Sequence, residues 1–413
     1  MRIEAPRGTL DVLPAEQPPR EAVIRAAESA ARDYGYGRIV TPTFEDTELF
    51  ARTSGAGSDV VQKEMYTFED RSGRSLTLRP EATAPIARAY LEHGLHREPQ
   101  PVKTFLVGPM FRYSAPQKGR YREFWQIDFE ALGSPDPAVD AELIQLYTEI
   151  ARRAGVRYTR LELNSIGDRS CRPGYVATLR AFLRERWSSL DDDTRRRAET
   201  SPLRVFDTKD PDVARVLSFA PKIGDSLCDE CREHFEAVRA SLDEYGVRYE
   251  LRPTLVRGLD YYTRTVFEFV NDGLEAAQST ICAGGRYDYL IEEVGGPPTP
   301  GVGWAAGIER MVLSRDAEPA APGVDVFIAV DGDGRKDAIL PLLARLRSAN
   351  VSAETDYVGR SLRGQLTQAR RLNARYTVVH KGADEPAELW ERGGPHEEIP
   401  ATELERRLLE RVR

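Results

Sequence analysis

An arginine and two tyrosines stand directly before an alternating strand in the stretch LVRGLDYYTRTVFEFV, residues 255–270. Arg257 lies in a glycine-containing loop, and Tyr261 and Tyr262 follow at the mouth of the strand. An arginine held in a loop at a strand end can present a fixed fork of donors to a phosphate or a carboxylate. Taken alone, this feature is a weak indication of a site.

A carboxylate and a hydroxyl occur together at a strand-to-helix junction in RPEATAPIARAYLEHG. The chain turns at Pro80 and enters a helix, which places Glu81 and Thr83 where loops often carry function. The pair suits an ammonium group. The alternative is a helix-capping pair, which the stretch taken alone favours.

A basic hairpin follows, with predicted strands from Thr104 to Tyr113 and from Glu123 to Leu132. The polar residues of the return strand alternate, and a period of two puts Gln126, Asp128 and Glu130 on the same side of a sheet. The basic residues of the hairpin are Arg112, Lys118, Arg120 and Arg122. A solvated edge hairpin is the alternative, but the bulky residues between the polar ones argue against an exposed edge.

The glycines of CAGGRYDYL permit close backbone approach to a ligand. Downstream, Arg310 lies in an apolar helical run, where an unpaired guanidinium is costly, although a snorkelling arginine is an equal alternative. Together the four stretches supply arginines, carboxylates and tyrosines that suit a triphosphate plus a small zwitterion. Since the chain has no Walker A sequence and GVGWAAG has the wrong spacing for a dinucleotide fingerprint, arginines and a metal ion would have to hold the phosphates.

Composition limits the class of protein. A chain of 413 residues with 41% hydrophobic content predicts two or three domains. The start has no apolar leader, and no run of roughly 18 apolar residues could span a bilayer, so a cytoplasmic location without membrane contact is expected. Four cysteines fit a reducing compartment. The net charge of -8 argues against wholesale coating of nucleic acid and permits local basic patches.

The predicted helices and strands that carry these residues indicate an α+β fold. An antiparallel sheet flanked by helices is expected over residues 1–316, with a helical insertion at about 169–250. GVGWAAGIERMVLSRD is interpreted as a glycine-started helix. Residues 317–323 are a proline-rich linker, and the pattern over residues 324–413 alternates as βαβαβ, typical of a small α/β domain.

The cysteines raise a metal hypothesis. Cys228 and Cys231 form CDEC, Cys171 lies at the other end of the insertion, and either Asp168 or His234 could complete a tetrahedral zinc site. A single CxxC with one distant cysteine is a modest signal. Free thiols in a reducing compartment are preferred, so zinc is possible but not expected.

The motifs resemble those of the histidyl-tRNA synthetase family, within class II of the aminoacyl-tRNA synthetases. The matching stretches run in order along almost the whole chain: PRGTLDVLP, TPTFEDTELF, TLRPEATAP, GPMFRYSAPQKGRYREFWQIDFEALG, LVRGLDYYTRTVFEF, CAGGRYDYL and GVGWAAGIERMVL. The last thirty or so residues lack clear resemblance. The resemblance implies a class II catalytic domain and a C-terminal anticodon-binding domain.

The resemblance also implies a reaction and roles within it. L-histidine is activated by ATP with Mg²⁺ and passed to the 3′ end of tRNA(His). Arg112 would contact the α-phosphate, Arg310 the γ-phosphate end, and Arg257 would stabilise the charge of the attack. Glu81, Thr83 and Gln126 would bind the α-amino group. Glu130 and Tyr262 would read the imidazole, and Tyr261 would line the same pocket.

Further roles follow from the resemblance. Ser114 stands where an acidic residue normally helps to hold adenine, and Ala115 stands where an arginine is common. The tRNA-contacting residues implied are Ala115, Gln117, Lys118 and Arg120 in the hairpin loop and Arg360, Arg363, Arg370 and Arg371 in the C-terminal domain. A homodimer is implied, with motif 1 ending at Pro42. The alternatives are a regulatory paralogue of ATP phosphoribosyltransferase, which generally lacks the C-terminal domain, and a non-charging relative that Ser114 leaves open.

Overall fold

The computed structural model describes residues 3–53, 60–157, 159–208, 210–274, 279–316, 323–331, 336–382 and 385–412. The chain divides into two compact units, Met1–Glu318 and Pro319–Arg413. Apart from Gly323, the predicted linker lies outside the described residues. Among the described helices, none is both long and apolar enough to cross a membrane.

The first unit is built on a large mixed sheet. Its strands are β1 (Gly37–Arg38), β5 (Val102–Phe111), β6 (Glu123–Leu132), β7 (Thr159–Ser165), β8 (Glu250–Leu251), β9 (Thr263–Asn271), β10 (Thr280–Arg286) and β11 (Gly301–Gly307). They are ordered β1-β5-β6-β11-β10-β9-β7-β8. Along this order, each strand from β5 to β7 pairs antiparallel with the next. The two edge strands are parallel to their neighbours: β1 to β5, and β8 to β7. A separate small sheet contains β2 (Phe44–Asp46), β3 (Tyr66–Glu69) and β4 (Ser75–Leu78).

Helices cover both faces of the large sheet. They are α1 (Gln17–Tyr34), α2 (Thr47–Thr53), α3 (Thr83–Glu92), α4 (Pro137–Ala154), α5 (Arg172–Glu185), α6 (Asp192–Thr200), α7 (Pro211–Ser218), α8 (Asp229–Glu244), α9 (Leu290–Glu293) and α10 (Ile308–Leu313). Successive side chains of a strand point to opposite faces of the sheet, and each face has its own hydrophobic core. On β9, Phe267 packs in the core that includes α1, α4 and α8, whereas its neighbour Val266 packs in the core that includes α3 and α5. The predicted antiparallel sheet flanked by helices is confirmed.

Local signals fixed several boundaries. Gly35 has a φ of 76° and closes α1 in the left-handed conformation that favours glycine. The Asp136 carboxylate accepts a 2.9 Å hydrogen bond from the Ala138 N–H and starts α4. The turn from Asp70 to Gly73 joins β3 to β4, which pair antiparallel as a hairpin.

One predicted element is wrong. The glycine-started helix over GVGWAAGIERMVLSRD is in fact strand β11 followed by the short helix α10. The strand is central and buried on both faces, which hides the alternation that would mark it in the sequence. Its glycines make room for neighbours: a Cβ on Gly303 would lie 1.6 Å from Glu130 Oε2.

The second unit is a five-stranded sheet with helices, counted over the described residues. Its elements are β12 (Val326–Val330), α11 (Lys336–Ser348), β13 (Ala353–Thr355), α12 (Leu362–Arg371), β14 (Tyr376–His380), β15 (Ala387–Glu391), β16 (His396–Ile399) and α13 (Ala401–Val412). Strands β13, β12 and β14 are parallel, as the βαβαβ prediction requires. An antiparallel pair, β15 and β16, extends the sheet beyond that pattern.

Candidate active site

A pocket in the first unit gathers most of the residues nominated from the sequence. It opens over the β5–β6 hairpin, β10 and the β11–α10 junction. The nominated residues in its lining are Glu81, Thr83, Arg112, Ser114, Arg120, Gln126, Asp128, Arg257, Tyr261, Tyr262 and Arg310. Stretches nearly 230 residues apart in the chain therefore share one cavity.

Carboxyl groups concentrate at one end of the pocket. Glu81, Asp128 and Glu130 are each at most 4% exposed. Burial raises the pKa of Glu81, raises that of Asp128 well above its usual range, and raises that of Glu130 to about 8. Buried carboxyl groups this close together are relieved by a cation, because each charge disfavours ionisation of the others.

Glu81 and Thr83 combine the two functions that the sequence left open. Glu81 accepts hydrogen bonds from the backbone N–H groups of Thr83 at 2.7 Å and Ala84 at 3.1 Å, so it caps α3. Thr83 Oγ1 donates a 2.6 Å hydrogen bond to Glu130 Oε1. The capping alternative is thus correct for Glu81, and the same contacts hold its carboxylate in the pocket wall.

Glu130 lies in a fitted recess behind this wall. Its second oxygen accepts a hydrogen bond from the Tyr287 hydroxyl, and the bare Cα of Gly303 on β11 leaves space for it. Tyr287 was missed by the sequence reasoning, which used CAGGRYDYL only for its glycines. Its position directly after the paired strand β10 is a signal that could have identified it.

Asp128 and Gln126 carry unsatisfied polar atoms. Within the described residues, both Asp128 carboxylate oxygens and Gln126 Oε1 are buried without a hydrogen-bond partner. Buried polar atoms are nearly always paired in folded proteins, so such atoms in a pocket indicate a place for a ligand donor. The sequence placed Asp128 on the correct face and assigned it no role.

The opposite end of the pocket is cationic. Arg310 donates hydrogen bonds to the backbone carbonyls of Thr280 at 2.6 Å and Gly119 at 3.2 Å. Desolvation lowers the Arg310 pKa, and the like charges of Arg112 and Arg120 lower it further. Arg112 is anchored through Nε to the Pro80 carbonyl at 2.8 Å. Mutually repelling guanidinium groups fixed around one space favour a polyanionic ligand.

Arg257 is held at the pocket wall by Glu268. Its guanidinium donates to the Glu268 carboxylate on β9 and lies 5.8 Å from the centre of the Tyr262 ring. Desolvation opposes the charge of Arg257, yet its pKa is raised because Glu268 and the two adjacent tyrosines favour the cation. Sequence reasoning missed Glu268, although a lone carboxylate within the apolar part of TRTVFEFV is visible in the sequence.

The hairpin loop between β5 and β6 divides into buried and exposed residues. Ser114 is 7% exposed and faces the pocket, whereas Ala115, Gln117 and Lys118 are exposed. Gln117 and Arg120 pair across a tight turn. Arg120 also bridges to Glu64 at 3.1 Å.

The second unit carries the remaining nominated arginines around α12. Arg363, Arg370 and Arg371 are exposed, and the spacing of seven residues puts Arg363 and Arg370 on one helix face. Arg360 differs, because it precedes the helix and pairs with Asp356 at 2.6 Å.

Of the five candidate metal ligands, four lie together and one does not. Asp168, Cys171, Cys228 and Cys231 place one potential ligand atom each within 4.8 Å of one another. His234 does not join them, since its Nε2 lies 3.3 Å from Asp140, a carboxylate that also accepts from Arg286. The nomination of His234 as a metal ligand is therefore wrong: the period of α8 turns it toward α4.

The fold and pocket have the architecture of an aminoacyl-tRNA synthetase. The crystal structure of the apo histidyl-tRNA synthetase of S. aureus is similar, with a TM-score of 0.82, 35% identity, and coverage of 99% of this chain and 100% of that one. The profile of the family described as histidyl-tRNA synthetase matches residues 8–167 and 194–311. The chain belongs to the histidyl-tRNA synthetase family.

Curated relatives agree over most of the length. A histidine--tRNA ligase of Rubrobacter xylanophilus is 48% identical over 389 residues, covering 92% of this chain and 91% of the relative. One from Desulforamulus reducens is 47% identical over 378 residues, covering 91% and 90%. The similarity thus extends through both compact units.

Proposed function

We propose that the chain is a histidine--tRNA ligase, which activates L-histidine with ATP to histidyl-adenylate and pyrophosphate and then transfers histidine to tRNA(His). The observation that carries the proposal is a single pocket with buried carboxyl groups at one end and anchored arginines at the other. Such a pocket complements a zwitterionic amino acid joined to a triphosphate.

The carboxyl end is suited to histidine. Glu81, Thr83 and Gln126 would receive the α-amino group, and the unpaired Gln126 oxygen supports this because it lacks a donor. Glu130 and Tyr262 would read the imidazole, and Tyr261 would pack beside them. A site that hydrogen-bonds both ring nitrogens rejects amino acids without them, because its own buried groups would be left unpaired.

The cationic end is suited to ATP. Arg112 would bind the α-phosphate and Arg310 the γ-phosphate. A histidine carboxylate oxygen attacks the α-phosphorus, the bond from that phosphorus to the bridging oxygen of the β-phosphate breaks, and pyrophosphate leaves. Arg257 would stabilise the charge on the α-phosphoryl oxygens, which is an electrostatic role without proton transfer.

Magnesium fits this end of the pocket. Magnesium is usually bound through one or two carboxylates together with substrate phosphates. Glu268, which accepts hydrogen bonds from Arg257 and Thr280 at this end, would hold the ion together with the phosphates. The ion would neutralise phosphate charge, while Ser114 would supply one hydrogen-bonding hydroxyl toward adenine.

The exposed basic residues are suited to tRNA. The loop with Ala115, Gln117, Lys118 and Arg120 would meet the acceptor stem, and Arg360, Arg363, Arg370 and Arg371 would contact phosphates near the anticodon. Electrostatic contacts of this kind supply much of nucleic-acid affinity and weaken with salt. We further propose that the enzyme acts in the cytoplasm as a homodimer whose interface includes β1 and the exposed Val40, 78% accessible in the single chain.

The regulatory alternative is not favoured. The curated relatives at 47% and 48% identity are histidine--tRNA ligases over more than 90% of this chain. The pocket also retains Arg112, Arg257 and Arg310, which a histidine sensor without chemistry would not require.

Histidine-dependent exchange between ATP and labelled pyrophosphate tests the proposal. Exchange with histidine, and none with the other amino acids, is expected. A folded protein that binds histidine without exchange would contradict the proposal and favour a regulator or a non-charging relative. Charging of tRNA(His) in a second assay then tests the transfer step separately.

A further inference from the structure

Four potential metal ligands meet at the base of the helical insertion, and none of them belongs to the lining of the substrate pocket. This Asp-Cys cluster consists of Asp168, Cys171, Cys228 and Cys231. Asp168 and Cys171 precede α5, and Cys228 and Cys231 lie at the start of α8. The cluster therefore joins the place where the chain enters the insertion to the helix by which it returns.

The distances match a tetrahedral metal centre rather than a disulfide. The Cys171 and Cys231 sulfur atoms are 3.9 Å apart, and Cys171 Sγ is 3.7 Å from Asp168 Oδ1. A disulfide needs about 2.0 Å between sulfurs. Two thiolates on one tetrahedral zinc ion, with bonds of about 2.3 Å, lie about 3.8 Å apart.

The surrounding residues hold the ligands in place and balance their charge. The Asp168 carboxylate accepts a 2.9 Å hydrogen bond from the Ser170 N–H, and Arg264 lies 3.5 Å from its other oxygen. Three thiolates and a carboxylate around Zn²⁺ carry a net charge of about -2, which a neighbouring guanidinium reduces. Gly167, at a φ of 62°, lets the cysteine approach, because a Cβ there would lie 2.6 Å from Cys171 Sγ.

We propose that the Asp-Cys cluster binds one zinc ion in a closed, structural site. Three sulfurs and one carboxylate oxygen complete four-coordination, which leaves no position for substrate. Asp168 and Cys231 are at most 3% exposed and Cys171 and Cys228 are half-buried, so a bound ion would be largely shielded from water. The ion fastens α5 to α8 and closes the base of the insertion. This inference is independent of the proposed function.

Metal analysis of the full-length protein is the direct test. Protein from zinc-supplemented cells is expected to contain about one zinc per chain by mass spectrometry. The double variant Cys228→Ser/Cys231→Ser is expected to lose at least nine-tenths of the metal, while Cys282→Ala, a buried cysteine outside the cluster, is expected to retain it. Equal zinc content in the double variant and the wild type would overturn the proposal.

Cobalt binding to the wild-type protein gives a test that does not depend on whether a variant folds. One equivalent of Co²⁺ added to the reduced, chelator-treated wild type is expected to give thiolate-to-cobalt charge-transfer absorption and the intense visible bands of a tetrahedral centre. Asp168→Cys adds a fourth thiolate and is expected to raise the charge-transfer intensity by about one third. Absence of these bands in the wild type, with its thiols reacting as free groups, would overturn the proposal and leave only reduced cysteines.

Discussion

Thr83 Oγ1 on α3 donates a 2.6 Å hydrogen bond to Glu130 on β6, and this bond joins two pocket residues that are 47 positions apart in the chain. Tyr287 donates to the other Glu130 oxygen. The Glu130 carboxyl is therefore oriented from two sides before any ligand enters. Pre-oriented buried groups discriminate strongly, because a ligand without the matching atoms leaves them unpaired.

Replacement of Glu130 is expected to impair histidine recognition specifically. Glu130→Gln should raise the KM for histidine by roughly 5- to 150-fold, with the KM for ATP changed by less than about threefold, since leaving a buried hydrogen-bonding group unsatisfied costs roughly 1–3 kcal/mol. Pyrophosphate exchange at varied histidine and ATP concentrations measures both constants. Equal increases in the KM for histidine and the KM for ATP would contradict a role of Glu130 in imidazole recognition.

The pKa of Glu130 predicts a pH dependence of stability. Burial raises this pKa from 4.5 to about 8 in the folded protein. Between these values the folded chain retains a proton that the unfolded chain has released. Below the unfolded pKa, the contribution of Glu130 to the free energy of unfolding is therefore fully present. As pH rises toward the folded pKa, this contribution falls by up to about 1.4 kcal/mol per pH unit, and above the folded pKa it no longer changes.

Urea unfolding of the free protein between about pH 5 and about pH 8 measures this slope. Glu130→Gln cannot titrate and is expected to show a flatter profile than the wild type. Glu81 and Asp128 also have raised pKa values and contribute to both profiles. The difference between the profiles isolates Glu130, and parallel profiles would mean that Glu130 is already ionised.

Arg257 is expected to act in the chemical step. Arg257→Ala should lower the rate of adenylate formation by about 10²–10³-fold, the usual cost of removing one group that stabilises developing charge. Single-turnover kinetics separate this rate from histidine binding, which should change little. The exposed Arg248→Ala is the matched control and should leave the rate unchanged. A normal rate in Arg257→Ala would exclude the residue from catalysis.

Gly303 is expected to be irreplaceable on steric grounds. Its Cβ would lie 1.6 Å from Glu130 Oε2 and 2.6 Å from the Phe129 carbonyl, so Gly303→Ala should cost at least about 1–3 kcal/mol of unfolding free energy and displace Glu130. Gly174→Ala, in α5, places its added carbon more than 4 Å from the other described residues and should instead be neutral or stabilise by up to about 1 kcal/mol. Similar unfolding midpoints for both variants would contradict this account.

The exposed arginines of α12 are expected to affect transfer and not activation. The double variant Arg363→Glu/Arg370→Glu should lower kcat/KM for tRNA(His) at least tenfold and leave pyrophosphate exchange unchanged, because charge reversal repels the phosphate backbone. Arg406→Glu/Arg407→Glu on α13 makes the same charge change on another exposed helix and serves as the control. Equal loss in both double variants would indicate a nonspecific charge effect.

The sequence by itself determined the elements that follow local rules. The return strand from Glu123 to Leu132 was predicted with its observed limits because bulky and polar residues alternate along it. Gly35 and Asp136 mark helix ends through backbone conformation and side-chain capping, which depend on near neighbours. The same alternation put Gln126, Asp128 and Glu130 on one face.

Only the tertiary structure decided which distant groups meet. Strand β11 was mistaken for helix because burial on both faces removes the period on which the prediction depends. Tyr287 and Glu268 became visible as partners of Glu130 and Arg257 only through strand pairing. Asp168, rather than His234, joins the cysteines because the helix turn directs His234 toward Asp140. Spacing along a chain reports local periodicity, whereas a contact between remote residues depends on the packing of the whole sheet and its helices.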